Sequence, residues 1–317
     1  MDQSGERVQE QRLCKIGLVL PQANASYGGA TPTWKDILAF AQHAEAAGFD
    51  SLWLADEYYG SSLSGETIGF WECWSLLSAL ATGTSRVTLG SLVSCNGYRH
   101  PALLAKIADT VDEISDGRVI LGLGAGYNQP LNEDFGLPWE KRYSCLEEAL
   151  TMIRQLLQDG YTDFQGQYYH IRECALLPRG PRPAGPPLMV ASMGQPGPRL
   201  LRLVCQFAQI WVGCTMYESD PLGAIPALCA SVEQACHKWQ RPPATLERAI
   251  AMGVAFGEHR LISGLYDITA GALQGTPAEI ATSLRTIADK GISHIIIQIA
   301  PCTRAGIDAF ASVLEYF

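Results

Sequence analysis

No uninterrupted apolar stretch in this chain approaches the about 20 residues that a membrane-spanning helix requires, so a membrane protein is not expected. The opening segment, MDQSGERVQEQRL, is polar and of mixed charge and lacks the apolar region of a secretory signal. Residues 1–13 therefore read as a leader or tail, and a cytoplasmic location is expected. No cluster of Lys or Arg is present and the net charge is −9, which argues against a nucleic-acid partner. The cysteines include no C-x-x-C pair; the closest spacings, Cys205/Cys214 and Cys229/Cys236, do not match a zinc knuckle. Six histidines are scattered without an H-x-x-x-H pair, and no metal site is expected. Cysteine itself is not scarce, at ten residues. A chain of this size needs no disulfide staples, so these read as reduced, mostly buried thiols.

What is present is a regular alternation. The chain has 317 residues, 47% of them apolar, and a mean hydropathy of +0.05, ample material for a packed core. The most informative stretch is Val87 to Gly126, VTLGSLVSCNGYRHPALLAKIADTVDEISDGRVILGLGAG. It reads as a strand, a turn, an amphipathic helix and a second strand ending in alternating glycines. Both strands are apolar on both faces, as expected where helices cover a parallel sheet. Similar runs occur at Lys15–Leu20, Ser51–Ala55, Val87–Val93, Arg118–Leu123, Leu188–Ala191, Gln209–Gly213, Ala249–Phe256 and His294–Ile299. Helical patterns lie near 34–47, 71–82, 101–115, 142–158, 197–207, 223–239, 277–290 and 305–316. Eight such units predict an α/β chain folded as a (β/α)8 TIM barrel, with an open doubly wound sheet as the alternative.

Residues 14–317 read as a single domain, since no linker-like stretch divides the runs. Helix ends are marked by Thr33 with Asp36 three residues on, by Gly48 and Gly291 as C′ residues, and by Pro277 in a first turn. Two insertion segments break the rhythm. Residues 159–187, after the fourth helix, read as a hairpin with a turn at Gln165-Gly166 and a Pro/Gly-rich approach to the fifth strand. Residues 257–276, after the seventh strand, form a second long excursion. Loops of this length commonly serve as lids or binding loops.

The candidate chemistry sits just past strand ends, where parallel α/β folds place their sites. Asp56 and Glu57 close the second strand, as carboxylates at the barrel mouth or as a turn cap. Ser94, Asn96, Tyr127 and Asn128 follow the third and fourth. Gly122, Gly124 and Gly126 depart from G-x-G-x-x-G at Tyr127; they require close backbone approach to a flat ring, a phosphate or a packed neighbour. Arg99-His100-Pro101 opens the third helix, with His100 read as a capping or packing residue and Arg99 as a partner for a nearby carboxylate. Ser192-Met193-Gly194-Gln195-Pro196-Gly197-Pro198 exposes backbone amides at a helix start directly after a strand, and reads as a phosphate-binding loop.

As a set these residues resemble the luciferase-like monooxygenase superfamily, in particular its F420 (deazaflavin)-dependent or FMN-dependent oxidoreductases. The elements are KIGLVLP at 15–21, AEAAGFDSLWLADE at 44–57, YRHPALLAK at 98–106, ISDGRVILGLGAG at 114–126, RYSCLEEAL at 142–150 and LQGTPAEIATSL at 273–284. The resemblance implies a (β/α)8 barrel with the cofactor ring against the ends of strands two to four. It puts Asp56 at the ring edge, Leu92-Val93 at a bulge with a non-proline cis peptide behind the ring, and Asn96, Tyr127 and Asn128 beside the cofactor. Ser192, Met193, Gly194, Gln195 and Gly197 would form the phosphate loop. Two departures stand out: Glu57 follows Asp56 where many F420-type relatives carry His, and neutral Leu131 stands where an acidic residue is often seen.

The expected activity is F420-dependent hydride transfer to or from a small organic substrate. The alternatives are an FMN-dependent monooxygenase supplied by a flavin reductase, and a non-catalytic flavin-binding accessory protein. Glu57 and Asp56 are the candidate catalytic residues. A carboxyl beside Asp56 at a partly desolvated mouth should have a raised pKa, suiting a general acid; the alternative is a solvated loop residue. The pocket is expected to be lined by 21–33, 58–70, 159–187 and 257–276. Tyr27, Tyr58, Tyr59, Phe70 and Trp71 there suggest an apolar or aromatic substrate, and the resemblance implies a homodimer.

Overall fold

The structure, a computed structural model, describes residues 12–61, 65–263 and 266–317. The leader expected over residues 1–13 lies outside the described residues except for Arg12 and Leu13, and Arg12 Nη2 donates to the Gly48 carbonyl at 2.8 Å.

Eight parallel strands close on themselves: β1 (Lys15–Val19), β2 (Ser51–Leu54), β3 (Thr88–Ser91), β4 (Val119–Gly124), β5 (Leu188–Met193), β6 (Ile210–Cys214), β7 (Glu247–Ala255) and β8 (His294–Ala300). Neighbours pair in chain order, β8 returns to β1, and β4 pairs with β5 through Leu121↔Leu188, so no edge remains as in an open sheet. The outer layer comprises α1 (Trp34–Ala46), α2 (Cys73–Gly83), α3 (Pro101–Ile114), α4 (Arg142–Asp159), α5 (Pro198–Phe207), α6 (Pro221–Lys238), α7 (Pro277–Ala288) and α8 (Arg304–Leu314). This is the (β/α)8 barrel expected from the alternation.

Local chemistry sets the helix ends. Thr33 and Asp36 form a reciprocal capping box at α1, Thr276 and Glu279 do the same at α7, and Gly48 and Gly291 take left-handed φ of 97° and 83°. Core packing occupies two layers. One lies between sheet and helices, and the other fills the barrel. Trp53 plugs the barrel interior because Gly17 and Gly90 leave it room; a Cβ on Gly90 would lie 2.2 Å from Trp53 Cζ3. Trp53 Nε1 donates to Ser51 Oγ at 2.7 Å, and that hydroxyl meets His294 Nε2 at 2.7 Å. Burial drives the His294 pKa down to about 3, so this ring stays neutral.

The insertions are more ordered than loops. Residues 159–187 contain the antiparallel pair Tyr161–Gln165 and His170–Ala175. The turn spans Gly166 to Tyr169 rather than Gln165-Gly166. Glu148 of α4 accepts the amides of Gln167, Tyr168 and Tyr169 at 2.7–3.0 Å and so dictates that four-residue shape. In residues 257–276 a short pair joins Ile262 to Asp267; residues 264 and 265 of this excursion, like 62–64 of the 58–70 segment, lie outside the described residues. After β3 the chain bulges through a cis Leu92–Val93 peptide and pairs again with β4 at Ser94 and Cys95.

Candidate active site at the barrel mouth

A cavity of about 440 Å³ opens at the C-terminal ends of the strands. Glu57 reaches it from a strand end whose two preceding residues are pinned. Gln22, past β1, accepts the Ala55 amide at 2.7 Å and donates to the Ala55 carbonyl at 2.8 Å. One residue on, Asp56 is only 2% exposed and accepts from Arg99 Nη1 at 2.6 Å and Nη2 at 3.0 Å, with the Cys95 amide at 3.2 Å. Glu72, the N-cap of α2, pairs with the same guanidinium. Burial pushes the Asp56 carboxyl above its ordinary value while Arg99 pulls it down; Asp56 in turn holds Arg99 charged despite its burial. Arg99 thus found its carboxylate, and His100 caps α3 by accepting the Ala102 amide.

Glu57 itself stands on the cavity wall. Its Oε2 is buried without a hydrogen-bond partner, while Tyr127 hydrogen-bonds to the carboxyl. Burial pushes the Glu57 pKa up to about 7, opposed by the Tyr127 bond and reinforced by the Asp56 charge. The group is therefore balanced between its protonated and ionised forms near neutral pH. The thiols of Cys95 and Cys214, also on the wall, are pushed by burial up to about 12 and about 11 and stay protonated.

One side of the cavity is backbone and small side chains: Leu92, Val93, Gly124, Ala125 and Gly126. The glycine run answers mainly to packing. A Cβ on Gly122 would lie 2.0 Å from the Ser91 carbonyl oxygen, one on Gly124 2.9 Å from Val93 Cγ2, and one on Gly126 2.4 Å from Asn132 Nδ2. Beside this wall begins α5. Its N-cap, Gly197, offers no side-chain bond to the first-turn amides, and Pro198 follows at the first helical position. Those amides, with the positive end of the helix dipole, are open to an anion. Arg142, at the start of α4, lies on the same cavity with its guanidinium 3.9 Å from the Trp139 ring centre and 4.8 Å from that of Tyr143.

The expected site residues divide in two. Glu57, Leu92, Val93, Tyr127, Ser192, Met193, Gln195 and Gly197 share the cavity wall. Asp56 faces Arg99 instead. Asn96 Nδ2 donates to the Tyr169 hydroxyl at 3.2 Å, and Asn128 caps the short helix Gln129–Asp134. Gly194, at φ 55°, shapes the loop without lining the cavity. Of the aromatic residues singled out in the loops, Phe70 alone lines it. Tyr27 packs edge-on against Phe40, Tyr58 stacks on Phe135, Tyr59 donates to Asp134, and Trp71 donates to the Pro32 carbonyl. The 159–187 segment contributes no wall residue among the described ones, because it is fastened to the outside of α3: Asp112 binds Arg182 and Asp109 accepts the Gly180 amide. Sequence reasoning missed Trp139, Arg142, Tyr143, Met216, Tyr217 and Gln298 on the wall. Gln298 carried the same signal as Asp56, a polar residue near the end of an apolar strand.

The luciferase-like monooxygenase family model matches residues 14–260. A 5,10-methylenetetrahydromethanopterin reductase of Archaeoglobus fulgidus is 31% identical over 167 residues, 53% of this chain and 45% of that protein. An F420-dependent hydroxymycolic acid dehydrogenase of Mycobacterium tuberculosis is 30% identical over 253 residues, 77% of this chain and 66% of that protein. The match thus spans between about half and two thirds of these relatives' lengths. An F420-dependent secondary alcohol dehydrogenase, solved with an F420-acetone adduct, superposes with a TM-score of 0.77 at 19% identity, covering 96% of this chain and 98% of its own. That likeness establishes the shared barrel. The family match over most of the chain, on a closed barrel with its cavity at the strand ends, makes this chain a member of the luciferase-like monooxygenase family.

Proposed function

We propose that the chain is an F420-dependent oxidoreductase, moving hydride between the deazaflavin and a small organic substrate. The observation that carries the reading is Glu57 Oε2, a buried oxygen with no partner on the wall of the main cavity, on a carboxyl pushed up to about 7. The F420-dependent relatives supply the cofactor class. The residues present suit such a group: an apolar wall of Leu92, Val93 and Gly124, and an anion corner at the start of α5 with Arg142 on the same cavity. When bound, the deazaflavin supplies a ring carbon that accepts or gives hydride.

In this reading Glu57 exchanges the proton that accompanies hydride transfer, through Oε2, while Tyr127 steadies the carboxyl. Asp56 and Arg99 act behind it, fixing the strand end, while burial, reinforced by the Asp56 charge, keeps the proton on Glu57. The amides of Gln195, Gly197, Arg199 and Leu200 and the Arg142 guanidinium would take the cofactor's phosphate. Trp139 and Tyr143 hold that guanidinium in place.

Titration of the purified protein with F420 and with FMN, followed by turnover of wild type and Glu57→Gln, tests the proposal. F420 is expected to bind more tightly, and Glu57→Gln to lower kcat by about 10²-fold or more with cofactor affinity kept. Tighter binding of FMN with oxygen-dependent turnover would favour the monooxygenase; binding of either without turnover would favour an accessory protein.

A further inference from the structure

The closest cysteine spacings in the sequence are Cys205/Cys214 and Cys229/Cys236, but the fold sets Cys205 against Cys236. Cys205 lies in the last turn of α5 and Cys236 in the last turn of α6, with their Sγ atoms 4.0 Å apart. Both are free thiols in the layer between sheet and helices, away from the cavity wall. Cys236 is fully enclosed, whereas Cys205 keeps 8% of its surface in contact with solvent.

One residue binds the two turns together. The Arg241 amide donates to the Cys236 carbonyl at 2.9 Å. Its Nη1 donates to the Cys205 carbonyl at 3.2 Å and to the Ala208 carbonyl at 2.6 Å. The backbones that carry the sulfurs are thus held in register, and the contact does not depend on two side chains meeting by chance. A disulfide requires about 2 Å between its sulfurs, so about 2 Å of approach remains. Rotation about χ1 of the two cysteines can share that distance while the helices stay in place.

We infer that Cys205 and Cys236 form an oxidation site that closes to a disulfide under hydrogen peroxide, tying the end of α5 to the end of α6. Cys205, the sulfur that solvent reaches, gives its proton to water, and its thiolate attacks one peroxide oxygen. The O–O bond breaks, Cys205 becomes a sulfenic acid, and the departing hydroxide takes up a proton as water. The Cys236 sulfur then attacks the Cys205 sulfur: the S–S bond forms, the S–O bond breaks, and the leaving hydroxide takes the Cys236 proton. Two thiols and one peroxide give one disulfide and two waters, with two electrons passing from sulfur to oxygen. Burial and the neighbouring Cys236 sulfur hold the Cys205 thiol above its ordinary value, against the pull of Arg241. Thiolate is therefore scarce at neutral pH and the first step is slow there.

The test treats the reduced full chain, without cofactor, with hydrogen peroxide at pH 8.5, then denatures it and counts the remaining thiols. Titratable thiols are expected to fall from ten to eight, and a non-reducing peptide map to join Cys205 to Cys236 with the loss of two hydrogens. The closed ring spans the chain from Cys205 to Cys236, including β6, and constrains the unfolded state; Tm is expected to rise by about 5 °C and to return on reduction. Cys236→Ser should instead accumulate a sulfenic acid at Cys205, trapped by dimedone, and Cys205→Ser should leave Cys236 unmodified. Met193, at 49% exposure, reports the peroxide dose through its sulfoxide. Ten thiols still free once Met193 is oxidised would overturn the inference, as would a disulfide that joins any other pair.

Discussion

Replacing Glu57 by Gln should make the cofactor-free protein more stable, and increasingly so as pH rises. In the folded protein the Glu57 carboxyl is raised from 4.5 to about 7, chiefly by burial. An acid with a raised folded pKa favours the native state below the unfolded value, and that contribution is lost as pH rises through the folded value. The window therefore runs from about pH 4.5 to about pH 7. At about 1.4 kcal/mol per pKa unit, the full effect is roughly 3 kcal/mol, of which some 2–3 kcal/mol falls between pH 5 and pH 8. Gln keeps the shape and an oxygen for Tyr127 but never ionises, so it escapes this loss. For a chain of this length that corresponds to a Tm advantage growing by about 4 °C between the two pH values. The assay is paired thermal melts of wild type and Glu57→Gln across that range in one buffer series. A Tm difference that stays flat with pH would refute the reasoning, because it would mean that Glu57 ionises in the fold as it does in water.

Three other substitutions probe the supports of the site. Arg99→Leu leaves Asp56 buried without its bidentate partner and should cost about 3–5 kcal/mol in chemical denaturation. Gly122→Ala would bring a Cβ to 2.0 Å from the Ser91 carbonyl oxygen; main chain must shift, and a loss of about 3 kcal/mol is expected, read from the urea midpoint. Gly194→Val meets open space, its nearest neighbour being Glu218 Oε1 at 3.9 Å, but must adopt φ 55°. A stability loss of about 1–2 kcal/mol is expected, with F420 affinity reduced about tenfold in a fluorescence titration and the far-UV spectrum unchanged.

The sequence by itself determined the barrel, because the information for it is local and repeated. Each strand buried on both faces must be apolar throughout, each covering helix must carry one apolar stripe, and their alternation leaves few closed arrangements. Caps such as Thr33 with Asp36 and stops such as Gly48 were legible for the same reason: their partners lie within one turn. The place of the cavity was legible too, since polar residues past strand ends share one mouth. Tertiary structure alone decided which side chains face that mouth. Asp56 and Glu57 are adjacent and chemically alike, yet Arg99, 43 positions away from Asp56, claims the first and leaves the second on the cavity wall. The glycines of β4 announced a close approach but not its object, which proved to be the Ser91 carbonyl on the neighbouring strand and Val93 in the bulge after it. Arg142 and Gln298 stand 156 residues apart in the chain and on the wall of one cavity. Burial and the pairing of distant side chains exist only once the barrel has closed, and they set the proton affinity of Glu57.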